Sequence, residues 1–243
     1  MTGSTTPARR PHTGGTTIAI LRGGNGRHVE RATATLVEAG VLGIEITTNT
    51  PGWQDGIRWA AEAYASADAD ADAGAGSMSR RGSSSADVVP RASVGVGTVL
   101  DVAQLEEAAA AGATFAVSPH LDPAIGARAA ELGLSWYPGA ATPTEILTAW
   151  RLGATAVKVF PVAQLGGPAY LRQVLAPLDF VQLIPTGGIG VENAADYLAA
   201  GAIAVGLGSP LVGDALTSGD MAALAHRARR LVAGLPRSAP VDR

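Results

Sequence analysis

The sequence predicts an α/β fold, a single (β/α)8 barrel of the TIM type, and three observations carry that expectation. After residue 15, eight short apolar runs alternate with Ala/Leu-rich stretches of helical length. Such alternation makes parallel βα units joined by right-handed crossovers. The phrase Ala-Gly or Leu-Gly then recurs at Ala39-Gly40, Ala111-Gly112, Leu132-Gly133, Leu152-Gly153 and Ala200-Gly201, each just before the next apolar run. Glycine belongs there because a helix commonly ends on a left-handed residue. Finally, the chain has 243 residues, and one such barrel needs roughly 200–250. A doubly wound open sheet is the competing arrangement of the same units.

In chain order, the runs predict strands at 17–21, 43–47, 93–97, 114–118, 134–137, 156–160, 181–185 and 202–206. Each combines branched or aromatic residues with flanking turn residues. Helical stretches fall at 28–39, 102–111, 122–132, 144–152, 169–175 and 192–200, with a second helix before residue 65 and a last helix around His226. Residues 1–15 read as a disordered extension, since Arg9 and Arg10 precede no apolar signal core. The barrel then spans 16–234, and 235–243 form a tail. Residues 66–91, rich in Ala, Asp, Gly and Ser, lack periodicity and read as a disordered insertion. Asp68, Asp70 and Asp72 alternate within it but lack the spacing of a calcium loop.

Composition removes several classes of function. A net charge of -3 without a basic stripe argues against a nucleic-acid partner. No run approaches the ~18 apolar residues of a spanning helix, so no membrane association is expected. The absence of cysteine excludes disulfides, thiolate zinc sites and a cysteine nucleophile, and fits a cytoplasmic protein. His12, His28, His120 and His226 have no metal-ligand spacing, so no metal and no cofactor is expected. His120, at a strand end, could still reach a pocket.

Lys158 is the chain's sole lysine; every other basic position is arginine. It lies in the apolar run Ala154-Thr-Ala-Val-Lys-Val-Phe-Pro161. A strand lysine can snorkel to a sheet rim or pair with a carboxylate. A desolvated one loses its charge more readily and becomes a nucleophile toward carbonyls, which arginine cannot be. Glu45 sits inside the second run, where alternation turns Ile44 and Ile46 to the helices and Glu45 to the lumen. A carboxylate there is costly unless it is paired or used as an acid or base.

Barrel sites form where strands end. Gly95-Val-Gly97-Thr98, Ser118-Pro119, Pro138-Gly139, Pro185-Thr-Gly-Gly-Ile189 and Gly206-Leu-Gly-Ser209 occupy those positions. The loops after the seventh and eighth strands commonly bind phosphate through backbone N–H groups. Gly187, Gly188, Gly208 and Ser209 fit that role, although turn glycines need no ligand. Arg22 ends the first strand, where it could hold a carboxylate or phosphate bidentately or join a surface pair. Trp53 could wall the pocket entrance.

The ordered set Ile18-Ala-Ile-Leu-Arg-Gly23, Gly43-Ile-Glu-Ile46, Val96-Gly-Thr-Val-Leu100, Val117-Ser-Pro119, Tyr137-Pro-Gly139, Val157-Lys-Val-Phe-Pro161, Pro185-Thr-Gly-Gly-Ile189 and Gly206-Leu-Gly-Ser209 resembles the class I aldolases of 2-keto-3-deoxy-6-phospho sugar acids. Those include the 6-phosphogluconate/4-hydroxy-2-oxoglutarate and 6-phosphogalactonate types. The resemblance implies a Schiff base on Lys158, with Glu45 as general acid/base. It puts Thr98 at the keto-acid end, and Phe160 and Pro119 around the pyruvate moiety. Gly187, Gly188, Gly208 and Ser209 would hold the phosphate of a small phosphorylated keto-acid. It also implies a homotrimer. Gluconate-type relatives commonly carry an arginine where this chain has Asn49. The Glu45–Pro51 segment, Trp53 and Leu21-Arg22-Gly23 look more like the galactonate type, in which Arg22 would supply the carboxylate-binding charge. The competing readings are a phosphate-binding barrel isomerase or synthase, and a non-catalytic sugar-phosphate-binding barrel.

Overall fold

The computed structural model describes residues 15–64 and 91–236. The expected extension, insertion and tail therefore lie almost wholly outside the described residues. Strand β1 (Thr17–Leu21) leads to α1 (Val29–Glu38), β2 (Gly43–Thr47) to α2 (Trp53–Tyr64), and β3 (Ser93–Gly97) to α3 (Val102–Ala110). Then come β4 (Phe115–Val117), α4 (Pro123–Glu131), β5 (Ser135–Tyr137), β6 (Gly139–Ala140) and α5 (Pro143–Arg151). The second half holds β7 (Val157–Val159), α6 (Gly167–Leu175), β8 (Leu183–Pro185), α7 (Ala194–Ala199) and β9 (Val205–Leu207). Three helices, α8 (Ser209–Val212), α9 (Ala215–Ser218) and α10 (Met221–Gly234), follow.

All pairings are parallel, in the orders β5-β4-β3-β2-β1-β9 and β6-β7-β8. Two links close the ring. Thr186 bridges Gly206, joining the end of β8 to β9. On the other side β5 and β6 are one run interrupted at Pro138, whose missing N–H cannot join a ladder. Lys158 N still donates to Pro138 O (2.9 Å), so the run serves as the fifth of eight barrel positions. The expected strand at 134–137 thus extends to Ala140, and the barrel replaces the open-sheet alternative. The seventh helix begins at Ala194 rather than 192, because Asn193 Oδ1 accepts from Gly190 N and holds the preceding loop in a turn.

Local chemistry explains the helix boundaries. Asp101 accepts from Gln104 N, Asp122 accepts from Ala124 N, and Thr142 with Glu145 forms a reciprocal capping box. At the other ends Gly40, Gly112, Gly133, Gly153 and Gly201 all take positive φ, the left-handed cap the recurring dipeptide predicts.

Strand alternation separates two cores. Ala19, Leu21, Ile44, Ile46, Val94, Val96, Val157 and Val159 face the helix layer. Ile18, Phe115, Val117, Tyr137, Ala156, Ile184 and Ala204 fill the lumen. Each fully buried Leu or Ile contributes roughly 1.5–3 kcal/mol. Gly95 admits the lumenal Phe115 ring: a Cβ there would lie 2.3 Å from Phe115 Cδ2. Among the described residues no helix is long and apolar enough to cross a membrane.

Candidate active site

Above the lumenal plug, at the C-terminal strand ends, the site is built around two buried charges. Glu45 on β2 is 2% exposed and Lys158 on β7 is 3% exposed. Glu45 turns inward while Ile46, its neighbour, reaches toward α2 beside Gly56. Space for the carboxylate comes from the adjacent strand. A Cβ on Gly97 would sit 1.9 Å from Glu45 Oε1, so any larger residue there would push the carboxylate from its place. Glu45 Oε1 is buried without a hydrogen-bond partner. The ion pairs among the described residues, Arg58–Asp55, Arg128–Glu106, Arg128–Glu131 and Arg230–Glu192, are all on the outer surface. None joins Glu45 to Lys158.

The two groups nevertheless feel each other. Burial raises the Glu45 carboxyl above its ordinary value of 4.5, a shift opposed by the positive charges of Lys158 and then Arg22. Burial lowers the Lys158 ammonium below 10.5; the Glu45 charge opposes that shift and Arg22 reinforces it. The result is a more available neutral amine beside a carboxyl that can carry a proton nearer neutrality. Lys158 Nζ lies 5.4 Å from the centre of the Phe160 ring, within cation–π range.

The other expected residues gather around this pair. Phe160 directly follows β7 and is 37% exposed, an apolar rim rather than a core residue. Pro119 follows β4, and its carbonyl abuts Gly139, where a Cβ would come within 2.3 Å of it. Gly139 is in turn the ladder partner of Lys158. Across the mouth Arg22 Nη2 donates to Thr98 Oγ1 (3.3 Å), joining the ends of β1 and β3. The Thr186–Gly206 bridge sets the two glycine loops side by side. Gly187 and Gly188 take φ of 95° and 77°. Neither they nor Gly208 and Ser209 donate their N–H to a backbone acceptor among the described residues. A Cβ on Gly187 would lie 3.1 Å from the Phe160 ring, so this loop borders the lysine's surroundings.

One expectation is revised. Trp53 is 7% exposed and packs in the core between helices and sheet, because it starts α2 on that helix's inner face; it does not wall the entrance. His120 is exposed, and its carbonyl accepts from Ser118 Oγ (2.7 Å). The sequence alone assigns no role to Thr47, Thr48 and Thr50. Thr47 and Thr50 are fully buried hydroxyls bonded to one another at the end of β2. The signal lies in the residue type, since Thr hydroxyls at the end of a strand readily bond nearby backbone groups. Among the described residues no group of three or more His, Asp or Glu could hold a metal. A cavity of about 530 Å³ lined by Asp179, Phe180 and Gln182 lies at the opposite, N-terminal ends of the strands.

Comparison with known proteins decides between the readings that share this architecture. The family model described as "Aldolase: KDPG and KHG aldolase" matches residues 83–226. The chain belongs to the KDPG and KHG aldolase family. It is 36% identical over 206 residues to a probable 2-dehydro-3-deoxy-6-phosphogalactonate aldolase of Rhizobium meliloti, covering 84% of this chain and 85% of that protein. It is 34% identical over 208 residues to the KHG/KDPG aldolase of Escherichia coli, covering 85% and 86%. Among solved structures, one described as "Native KDPGal structure" superposes with a TM-score of 0.75 at 29% identity, covering 93% of this chain and 97% of that one. Members of this aldolase family are carbon–carbon lyases. A thiamine phosphate pyrophosphorylase of Pyrococcus furiosus has the same fold at 16% identity, with a TM-score of 0.59 and 91% of this chain covered against 98% of that one. That likeness extends to the fold alone.

Proposed function

We propose that this chain cleaves a 2-keto-3-deoxy-6-phospho sugar acid to pyruvate and glyceraldehyde 3-phosphate through a Schiff base on Lys158. The observation that carries the reading is the chain's single lysine, buried on β7 with its ammonium destabilised, in the same lumen as a buried carboxylate. Its neutral Nζ attacks the C2 ketone; loss of water leaves an iminium. The iminium withdraws electrons from the C3–C4 bond. Glu45 takes the proton of the C4 hydroxyl, the bond breaks, and the aldehyde departs. The electron pair remains as an enamine, which accepts a proton at C3 from Glu45. Addition of water then frees pyruvate and returns Lys158. Phe160 and Pro119 line the pyruvate end, while Arg22 and Thr98 receive the carboxylate. The N–H groups of Gly187, Gly188, Gly208 and Ser209 receive the phosphate, whose binding orients the reacting bond.

Sodium borohydride with pyruvate should add a three-carbon label to Lys158, read by peptide mass spectrometry; an unlabelled lysine rules out the imine. The uncharged Asn49 and the Arg22 position are the galactonate-like features of the sequence, and they support that substrate type by likeness. A coupled assay should give a higher kcat/KM on the phosphogalactonate epimer than on the phosphogluconate epimer or 4-hydroxy-2-oxoglutarate. We also infer a trimer, on family likeness; light scattering at the mass of one chain would oppose it.

A further inference from the structure

Arg22 is exposed and has no carboxylate partner among the ion pairs of the described residues. Such a side chain loses much rotamer freedom when it must hold one pose. Its surroundings restrict it from two directions. On the guanidinium side, Nη2 donates to Thr98 Oγ1 (3.3 Å). Thr98 has φ of 60°, the one non-glycine residue with positive φ among the described residues. A β-branched residue avoids that region, so something must hold it there. Thr48 does: its Oγ1 donates to Thr98 O (2.8 Å) and its N–H to Gly97 O (2.9 Å). On the backbone side, Thr50 Oγ1 accepts from Gly23 N (2.9 Å) and lies 3.3 Å from Leu21 O. Thr47 Oγ1 lies 3.2 Å from the same carbonyl, 3.1 Å from Thr50 Oγ1 and 2.7 Å from Asn49 Oδ1. The residues on both sides of Arg22 are therefore tied to one turn.

We propose that the Thr47-Thr48-Asn49-Thr50 turn is an arginine clamp: Thr48 and Thr50 are positioning residues that aim Arg22 at the substrate carboxylate without touching substrate. This rests on the aldolase reading above. It explains how a cation delivered from β1 can do the work of one carried at position 49: the same turn that lacks the charge holds the strand that supplies it. Both site charges already register the arginine, since Arg22 acts on Glu45 and on Lys158.

The test compares borohydride trapping on Lys158 by pyruvate, which has a carboxylate, and by acetone, which does not. Thr48→Val should raise the pyruvate half-saturation about tenfold while acetone trapping stays within about twofold. Thr48→Ser should restore the pyruvate value, and Thr50→Val should behave like Thr48→Val. Arg22→Ala should lose the same preference, and Arg22→Ala combined with Thr48→Val should be no weaker than Arg22→Ala alone, because both remove one function. A Thr48→Val protein that keeps its preference for pyruvate, or loses both ketones equally, overturns the clamp. If Thr48→Val does not fold, Thr50→Val reads the same loss of ratio, with Thr48→Ser as the variant that should keep the parent value. No trapping by pyruvate in the parent chain would overturn the aldolase reading and the clamp together; trapping there with an unchanged ratio in the variants overturns the clamp alone.

Discussion

Lys158 and Glu45 each sit where burial opposes their charge, and each partly relieves the other. This mutual dependence sets the outcome of single substitutions. Glu45→Gln keeps the shape beside Gly97 but cannot shuttle a proton, so kcat for cleavage should fall by roughly 10²–10⁴. Pyruvate imine formation should fall far less; equal losses would refute the acid/base role. The pH dependence has a definite sign. The Glu45 charge raises the lysine's pKa and Arg22 lowers it. Where Glu45 is ionised, the acidic limb of imine formation should therefore move to lower pH in Glu45→Gln and to higher pH in Arg22→Ala. Rapid-mixing measurements across pH would read both shifts.

At the scale of elements, β3 does two jobs two residues apart. Gly95 clears space for Phe115 in the plug, and Gly97 clears space for the Glu45 carboxylate. Alanine at each should fail differently. Gly95→Ala forces the ring out of a packed lumen and should cost about 1–3 kcal/mol of stability, measured by urea unfolding. Gly97→Ala displaces a reacting group by an ångström or more and should lower kcat by about 10²-fold in a protein that still folds; unchanged turnover would show that the carboxylate does not need its position. The sequence made both glycines visible as a strand end, where barrel sites form. Their occupants were hidden, because Phe115 lies twenty residues from Gly95 and Glu45 fifty-two residues from Gly97.

For the whole molecule, the site is a stability cost that the cores offset. Lys158 has its folded pKa below 10.5. Between that lowered value and 10.5 the unfolded chain binds a proton that the folded chain releases. The penalty is thus absent well above 10.5 and grows as pH falls through the window. Lys158→Met, similar in volume, removes that penalty but leaves the Glu45 carboxyl without its partner, so the variant should gain on the parent in stability as pH falls from about 11, where model lysines are mostly neutral, to about 7. Denaturant midpoints at the two pH values would check it; equal gains would mean that the amine is not penalised by burial.

Alternating apolar runs, capped helix ends and inward Glu45 were legible from the amino-acid order, because strand and helix periods and left-handed glycine caps depend on neighbours in the chain. So was Lys158, through its isolation in an apolar strand. Tertiary structure alone decided that Pro138 splits one barrel position in two, that Trp53 packs in the helix–sheet core, and that Thr47 and Thr50 bond to the backbone flanking Arg22 while Thr48 bonds to Thr98. Those outcomes depend on which distant groups meet when the ring closes, and closure brings together residues whose separation along the chain carries no local signal.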